Sequence, residues 1–189
     1  MAQSAILAEH KEEMELVERA KADEVAFSEL YNLYFPKIYG YIFRRVGSHE
    51  DAEDLTSQVF LKAFDKLGTF NYQGYSFSSW IFRIATNALT DHYRKKSRRK
   101  ELNLDGIAEP SADTDLENEV NIIYKKAQVN IVLTRLSDKY QKVLTLKFYG
   151  QMEYEEIAET LNISVNNSRV LLHRALKKFD QEYSKYVQT

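Results

Sequence analysis

Apolar residues recur along this chain at helical spacing, with no strand-like alternation and no internal repeat. Phe27, Leu30, Tyr31, Tyr34, Phe35, Ile38, Tyr39, Ile42, Phe43 and Val46 follow alternating steps of three and one. That spacing lays a wide apolar stripe along a long helix. Pro36 falls inside the stripe and predicts a kink or a break, and Gly47 predicts its end. Ser48, with Asp51 three residues on, offers an N-cap for a second helix. Ala52, Leu55, Val59, Ala63, Phe64 and Leu67 face inward on it, and Gly68 is the stop. A loop rich in aromatic and polar residues follows, from Thr69 to Phe77. A third helix is expected from about Ser78 to Lys96, with Trp80, Ile81, Ile84, Ala85, Ala88, Leu89, His92 and Tyr93 inward.

The pattern breaks between Glu101 and about Asp115, where Asn-Leu-Asp-Gly and Glu-Pro-Ser-Ala-Asp mark a linker. Periodicity resumes near Leu116 and runs through Val120, Ile123, Ala127, Ile131 and Leu136. Ser137 is placed to cap a helix bearing Tyr140, Val143, Leu144 and Phe148, with Gly150 as its stop. A short helix ending at Leu161, the turn Asn162-Ile163-Ser164 and a longer basic helix complete a helix-turn-helix over Glu153–Phe179. In it Ala158 allows close crossing, Ser164 caps the second helix, and Leu172, Leu176 and Phe179 share a core face. The expected fold is all-α. An N-terminal helical bundle (residues 1–100) and a C-terminal helix-turn-helix domain (117–189) are joined by an acidic flexible linker (101–116).

Composition narrows the function classes. With 44% hydrophobic residues the chain can bury real cores, and two Pro and six Gly favour helices. The absence of cysteine excludes disulfides and Cys-ligated zinc. No signal-peptide pattern and no bilayer-length apolar run occurs, so a soluble cytoplasmic protein is expected, without membrane contact. The net charge of −2 hides a block structure. Arg94 to Lys100 is almost wholly basic, Glu101 to Glu119 carries acids and no base, and Leu161 to Phe179 carries bases and no acid. Such blocks predict partners better than their sum does.

Candidate chemistry points to binding. Asn166, Asn167, Arg169, His173, Arg174 and Lys177 lie on the face of the last helix opposite its core side. Asn and Arg can pair with base edges there, and Lys and Arg with phosphates. An ordinary αα-hairpin with a solvated basic face carries the same pattern. Phe70 to Phe77 sets aromatics beside the basic end of the third helix, the combination that single-stranded DNA needs for stacking and for its backbone. Trp80 taken alone reads as core. The four histidines are scattered, and no phosphate loop or nucleophile elbow occurs. No catalytic residue, metal site or cofactor is expected, and the chain is not expected to be an enzyme.

Three segments resemble a known family. Asp51 to Phe64 resembles the core-polymerase-binding helix of sigma-70 factors. Ser78 to Arg94 resembles their −10-element segment, and Tyr154 to Ala175 their −35-binding helix-turn-helix. Their order and spacing are similar to the small extracytoplasmic-function type, over about Met14 to Tyr183. The resemblance implies that Asp51, Glu53, Asp54, Leu55 and Gln58 dock on the β′ clamp helices of core RNA polymerase. The β flap is a further implied polymerase contact. It implies that the Phe70–Phe77 loop captures a flipped −10 base, at a cost of a few kcal/mol offset by stacking and pocket contacts. Asn71, Tyr72, Gln73, Tyr75, Trp80, Arg83, Asn87, His92, Arg94 and Lys95 are the candidate residues for the −10 element and its melted strand. Arg169, His173 and Arg174 match the family's −35 contacts. The linker would run near the RNA path, and a cognate anti-sigma factor would occlude the polymerase-binding faces.

The chain departs from the family pattern at four places. Ser168 replaces an apolar core residue, at a cost of about 1–3 kcal/mol unless its hydroxyl is bonded, and a bond back to the Ser164 carbonyl is expected. Val170 and Leu171 replace a polar and a basic residue. Gln58 stands where many members have Glu. Two other readings stay open at this point. One is a free-standing helix-turn-helix regulator that binds duplex DNA as a dimer. The other is an adaptor that touches no DNA.

Overall fold

The computed structural model describes residues 2–71, 76–100 and 128–187. Among the described residues every regular element is helical. In chain order they are α1 (Ala2–Ala20), α2 (Glu24–Val46), α3 (His49–Leu67), α4 (Phe77–Lys100), α5 (within 128–134), α6 (Asp138–Phe148), α7 (Tyr154–Leu161) and α8 (Val165–Val187). The acidic linker, and the periodic stretch from Leu116 to Ala127, lie outside the described residues.

Local chemistry sets the ends of these helices. Asp23 caps α2 by accepting from the Val25 N–H at 2.9 Å. Gly47 closes α2 at φ 72°, a left-handed conformation that costs glycine little, and donates its N–H to the Phe43 carbonyl. Ser48 caps α3 through the Asp51 N–H. Ser76 caps α4 through the Ser79 N–H at 3.0 Å. Ser137 stands at the N-cap of α6 as expected but makes no side-chain bond there. Helix α2 runs through Pro36 without a break. Pro36 and Asn32 are both exposed, so the carbonyl that the proline leaves without a donor lies on the wet side.

Helices α1 to α4 pack around Leu30, Ile38, Tyr41, Ile42, Val59, Ala63, Ile81, Phe82 and Leu89, all essentially inaccessible to solvent. The buried Tyr41 hydroxyl bonds Thr86, whose own hydroxyl bonds the Phe82 carbonyl, so this polar chain is satisfied. Helix α1 has no counterpart in the hydrophobic pattern. It docks through Val17 and Ala20 and through a hydrogen bond from the Tyr34 hydroxyl to Glu13. Phe64, expected inward, is 47% exposed. The inward stripe of α3 turns through Thr56 and Phe60 instead, leaving Phe64 edge-on against Phe27.

Helices α5 to α8 form the second unit, around Val132, Leu133, Val143, Leu146, Met152, Ile157, Ala158, Leu172 and Ala175. Asn162 closes α7 at φ 55°, and the Ile163 N–H reaches back to the Ala158 carbonyl at 2.9 Å. Leu176 is 41% exposed rather than core, while its neighbour Ala175 is fully buried. Ser168 is fully buried and satisfied. Its hydroxyl bonds the Val165 carbonyl at 2.7 Å and the Tyr154 carbonyl at 3.1 Å, not that of Ser164.

The two units meet directly, α4 against α7 and α2 against α6, and share one continuous core. At the join Gly150 leaves room for the Phe82 ring. A Cβ there would lie 3.1 Å from that ring and 2.6 Å from the Leu146 carbonyl.

Candidate nucleic-acid interface

Helix α8 presents the expected row. Asn166, Asn167, Arg169, His173, Arg174 and Lys177 are all exposed, while Ser168, Leu172 and Ala175 turn inward. The cap is as expected, with the Asn167 N–H bonding the Ser164 hydroxyl at 3.2 Å. Arg169 is held before any ligand arrives. Its guanidinium lies 5.3 Å from the Tyr154 ring centre and 3.6 Å from the Glu155 carboxylate. Val170 is 40% exposed, so an apolar side chain stands within the polar row.

On α3, Glu53, Asp54 and Gln58 are exposed and Asp51 is half-buried. Leu55 points into the core at 5% exposure, so it supports this face rather than presenting itself on it. Asp51 lies 3.9 Å from His92 of α4, which joins a polymerase-side candidate to a DNA-side candidate. Beside this acidic face α2 carries a half-exposed aromatic ladder. Phe35, Tyr39 and Phe43 stack in turn, and the Tyr39 hydroxyl bonds His49 at 2.6 Å. The nearby Glu53 charge adds to desolvation in pushing the Tyr39 phenol up from its ordinary value.

The candidates around α4 divide. Trp80 packs on Phe70 at 5.0 Å and Phe77 at 5.4 Å, and both partners are buried, so the ends of the aromatic loop are anchored. Tyr72, Gln73 and Tyr75 lie outside the described residues. Asn71, Asn87, Arg94 and Lys95 are exposed, with Arg94 paired to Asp91 at 3.1 Å. His92 and Arg83 are half-buried. A shallow cleft lined by Glu13, Met14, Val17, Glu18, Phe70 and Phe77 places α1 beside the loop ends.

Several residues at the join, Arg83 apart, carry no signal in the sequence pattern. The Ser76 hydroxyl donates to Glu156 at 3.1 Å, and the Ser79 hydroxyl to Glu159 at 2.6 Å. Arg83 donates to the Glu159 carbonyl. Arg45, whose side chain is 1% exposed, pairs with Asp138 at 2.5 Å. Desolvation pushes the Asp138 carboxyl up. The hydrogen bond from Lys142 and the charge of Arg45 outweigh it and hold the carboxyl below its ordinary value.

Family comparisons divide the chain along the same lines. The sigma-70 region 2 model matches residues 30–99, and the sigma-70 region 4 model matches residues 132–179. The extracytoplasmic-function (ECF) sigma factor SigW of Bacillus subtilis is 31% identical over 84% of this chain and 90% of its own length. The chain belongs to the sigma-70 family, in its ECF branch. Sigma factors of this branch direct transcription initiation, and the region 2 match over residues 30–99 disfavours a free-standing regulator. The ECF sigma factor BldN of Streptomyces coelicolor is 35% identical over 87% of this chain, and the match spans 63% of that protein's length. The fold of this sigma factor is similar to that of CnrH, solved with the cytosolic domain of CnrY, at TM-score 0.69 and 19% identity over 89% of this chain and 95% of CnrH. It is likewise similar to RpoE of Bartonella quintana, solved with the anti-sigma factor NepR, at TM-score 0.68 and 20% identity over 84% of this chain and 96% of RpoE. Among the described residues no helix of the sigma factor is long and apolar enough to cross a membrane, and no acidic or histidine cluster could hold a metal ion.

Proposed function

We propose that this chain binds core RNA polymerase and gives it a promoter, reading a −35 element with α8 and a −10 element with α4 and the loop before it. The observation that carries the reading is one ordered chain with two segments of matching chemistry. An exposed Asn/Arg/His/Lys row occupies α8 in the region 4 match. An aromatic loop leading into a helix with a basic end occupies the region 2 match. Glu53, Asp54 and Gln58, with Asp51 beside them, form the polymerase-facing surface, which docks on the β′ clamp helices while the C-terminal unit meets the β flap. Asn71, Tyr72, Gln73, Tyr75, Trp80, Arg83, Asn87, His92, Arg94 and Lys95 serve the −10 element. Asn166, Asn167, Arg169, His173, Arg174 and Lys177 serve the −35 element. The units span residues 1–100 and 117–189, and the family matches fall inside both bounds. The chain works in the cytoplasm, without a cofactor and without catalysis of its own. A cognate anti-sigma factor restrains it, in line with the complexes in which both structural neighbours were solved.

Run-off transcription with core polymerase and a genomic promoter pool tests the proposal. Stimulated initiation from a subset of templates is expected. No stimulation on any template overturns it.

A further inference from the structure

We propose that Val170 is a specificity-determining residue of the −35 reader, packing on the 5-methyl group of a thymine in the major groove. The proposal rests on the function proposed above and deepens it. Val170 is 40% exposed and stands inside the row formed by Asn166, Asn167, His173, Arg174 and Lys177. At about 3.6 residues per turn it lies roughly half a turn from the buried Ser168, Leu172 and Ala175. It is therefore at the middle of the outer face, with Asn166 one turn before it and Arg174 one turn after it. On a helix laid in a groove, that middle line faces the groove floor, where the base edges are.

The fold does not account for this valine. Leu171, Leu172, Ala175 and Phe179 of the same helix belong to the core or pack against it, and Val170 does not. Valine is also a weaker helix former than alanine, lysine or arginine, so helix propensity does not select it either. What it supplies is two methyl groups held in essentially one χ1 rotamer on a helix, so contact with a flat apolar group costs almost no side-chain entropy. Of the four bases, only thymine presents an apolar group in the major groove, its 5-methyl. A cytosine at the same place would bury its N4 donor against a side chain that cannot accept.

The neighbours point the same way. Arginine is the usual partner of guanine, but Arg169 is turned aside onto Tyr154 and Glu155 of α7. The stretch from Val165 to Val170 therefore offers the groove Asn166, Asn167 and Val170, and no other cation. Asparagine pairs with adenine through N6 and N7. Asn166 and Val170 are about 6 Å apart along the helix axis, one to two base-pair steps of about 3.4 Å. The N-terminal end of α8 thus suits neighbouring A·T pairs, with an adenine under the asparagine and a thymine methyl under Val170. The cations Arg174 and Lys177 follow one and two turns later.

Run-off transcription by the holoenzyme on templates with a randomised −35 segment reads this contact, since the templates that initiate can be sequenced. The parent is expected to enrich a thymine at one position. Val170→Ala is expected to lose that preference and to keep the preferences elsewhere. Replacing the enriched thymine by deoxyuridine removes its methyl and leaves every hydrogen-bonding group in place. That change is expected to raise the half-saturating holoenzyme concentration about four-fold for the parent and not at all for Val170→Ala. The melting temperature of Val170→Ala is expected to be unchanged or slightly higher; a lower one marks Val170 as a packing residue and overturns the proposal. So does the lack of any enriched thymine, or a deoxyuridine effect that is absent from the parent or equal in both proteins. Weaker initiation by Val170→Ala on every template alike also overturns it, since that is the mark of a protein contact. Each of these results can occur with initiation intact, which leaves the function proposed above standing. Absence of initiation on every template removes both.

Discussion

Ser168 shows how a single polar atom is accommodated in a small core. Its hydroxyl is sealed from water but spans two carbonyls, one on its own helix and one at Tyr154, the first residue of α7. It therefore ties the two helices of the DNA-reading motif together. Ser168→Ala is expected to cost about 1 kcal/mol and to lower Tm by about 2–4 °C, measured by calorimetry; an unchanged Tm would show the Tyr154 bond to be idle. Asp138, by contrast, is a partly exposed carboxylate whose partner Arg45 is buried. Its carboxyl pKa is lowered in the folded chain, as the Lys142 hydrogen bond and Arg45 overcome desolvation, with Tyr93 and Tyr41 as the other titratable groups near that pair. A lowered carboxylate pKa adds stability that is fully present above the ordinary carboxylate range and is lost as pH falls through the lowered value. Thermal melts should show Asp138→Asn less stable than the parent at neutral pH, with the gap closing as pH falls through and below the ordinary carboxylate range. A gap that stays constant with pH would contradict this account.

At the scale of elements, α8 carries two jobs on two faces. Ser168, Leu172 and Ala175 turn inward, and the row from Asn166 to Lys177 is exposed, with Arg169 held against Tyr154 and Glu155. Arg169→Ala and Arg174→Ala should each weaken binding to a −35 duplex, and each phosphate contact removed should reduce the salt slope of log K by about 1. Fluorescence anisotropy across a salt series measures both quantities, and unchanged slopes would remove these residues from the phosphate contacts. Helices α2, α3, α4, α6, α7 and α8 are legible in the chain because a half-buried helix must repeat its apolar residues at 3.6-residue intervals. Helix α1 is not legible, since it buries little beyond Val17 and Ala20 among its described side chains. The misplaced inward residues, Phe64 and Leu176, each directly follow a fully buried alanine. Periodicity gives the direction of a side chain but not what covers it.

For the molecule as a whole, the join between the units rests on polar pairs such as Arg45–Asp138 and Arg44–Asn130. Arg45→Met should leave the join as stable as before or slightly more so, because an apolar side chain of similar size has no desolvation penalty. Asp138→Ala should destabilise it by about 1–2 kcal/mol, a discounted figure because the carboxylate is partly exposed. Urea unfolding of both variants checks the order, and a larger loss in Arg45→Met would reverse the reading of that pair. Nothing in the linear pattern marks this join. Ser76, Ser79, Glu156 and Glu159 look like solvated helix surface, and the bonded pairs Ser76–Glu156 and Ser79–Glu159 are each separated by 80 positions. Helix identity, the helix-turn-helix and the family follow from local spacing, because backbone hydrogen bonding and one-sided burial act over a few residues. The docking of α7 on α4 and the burial of Arg45 depend on surfaces that meet only after both units have folded, so no local rule contains them.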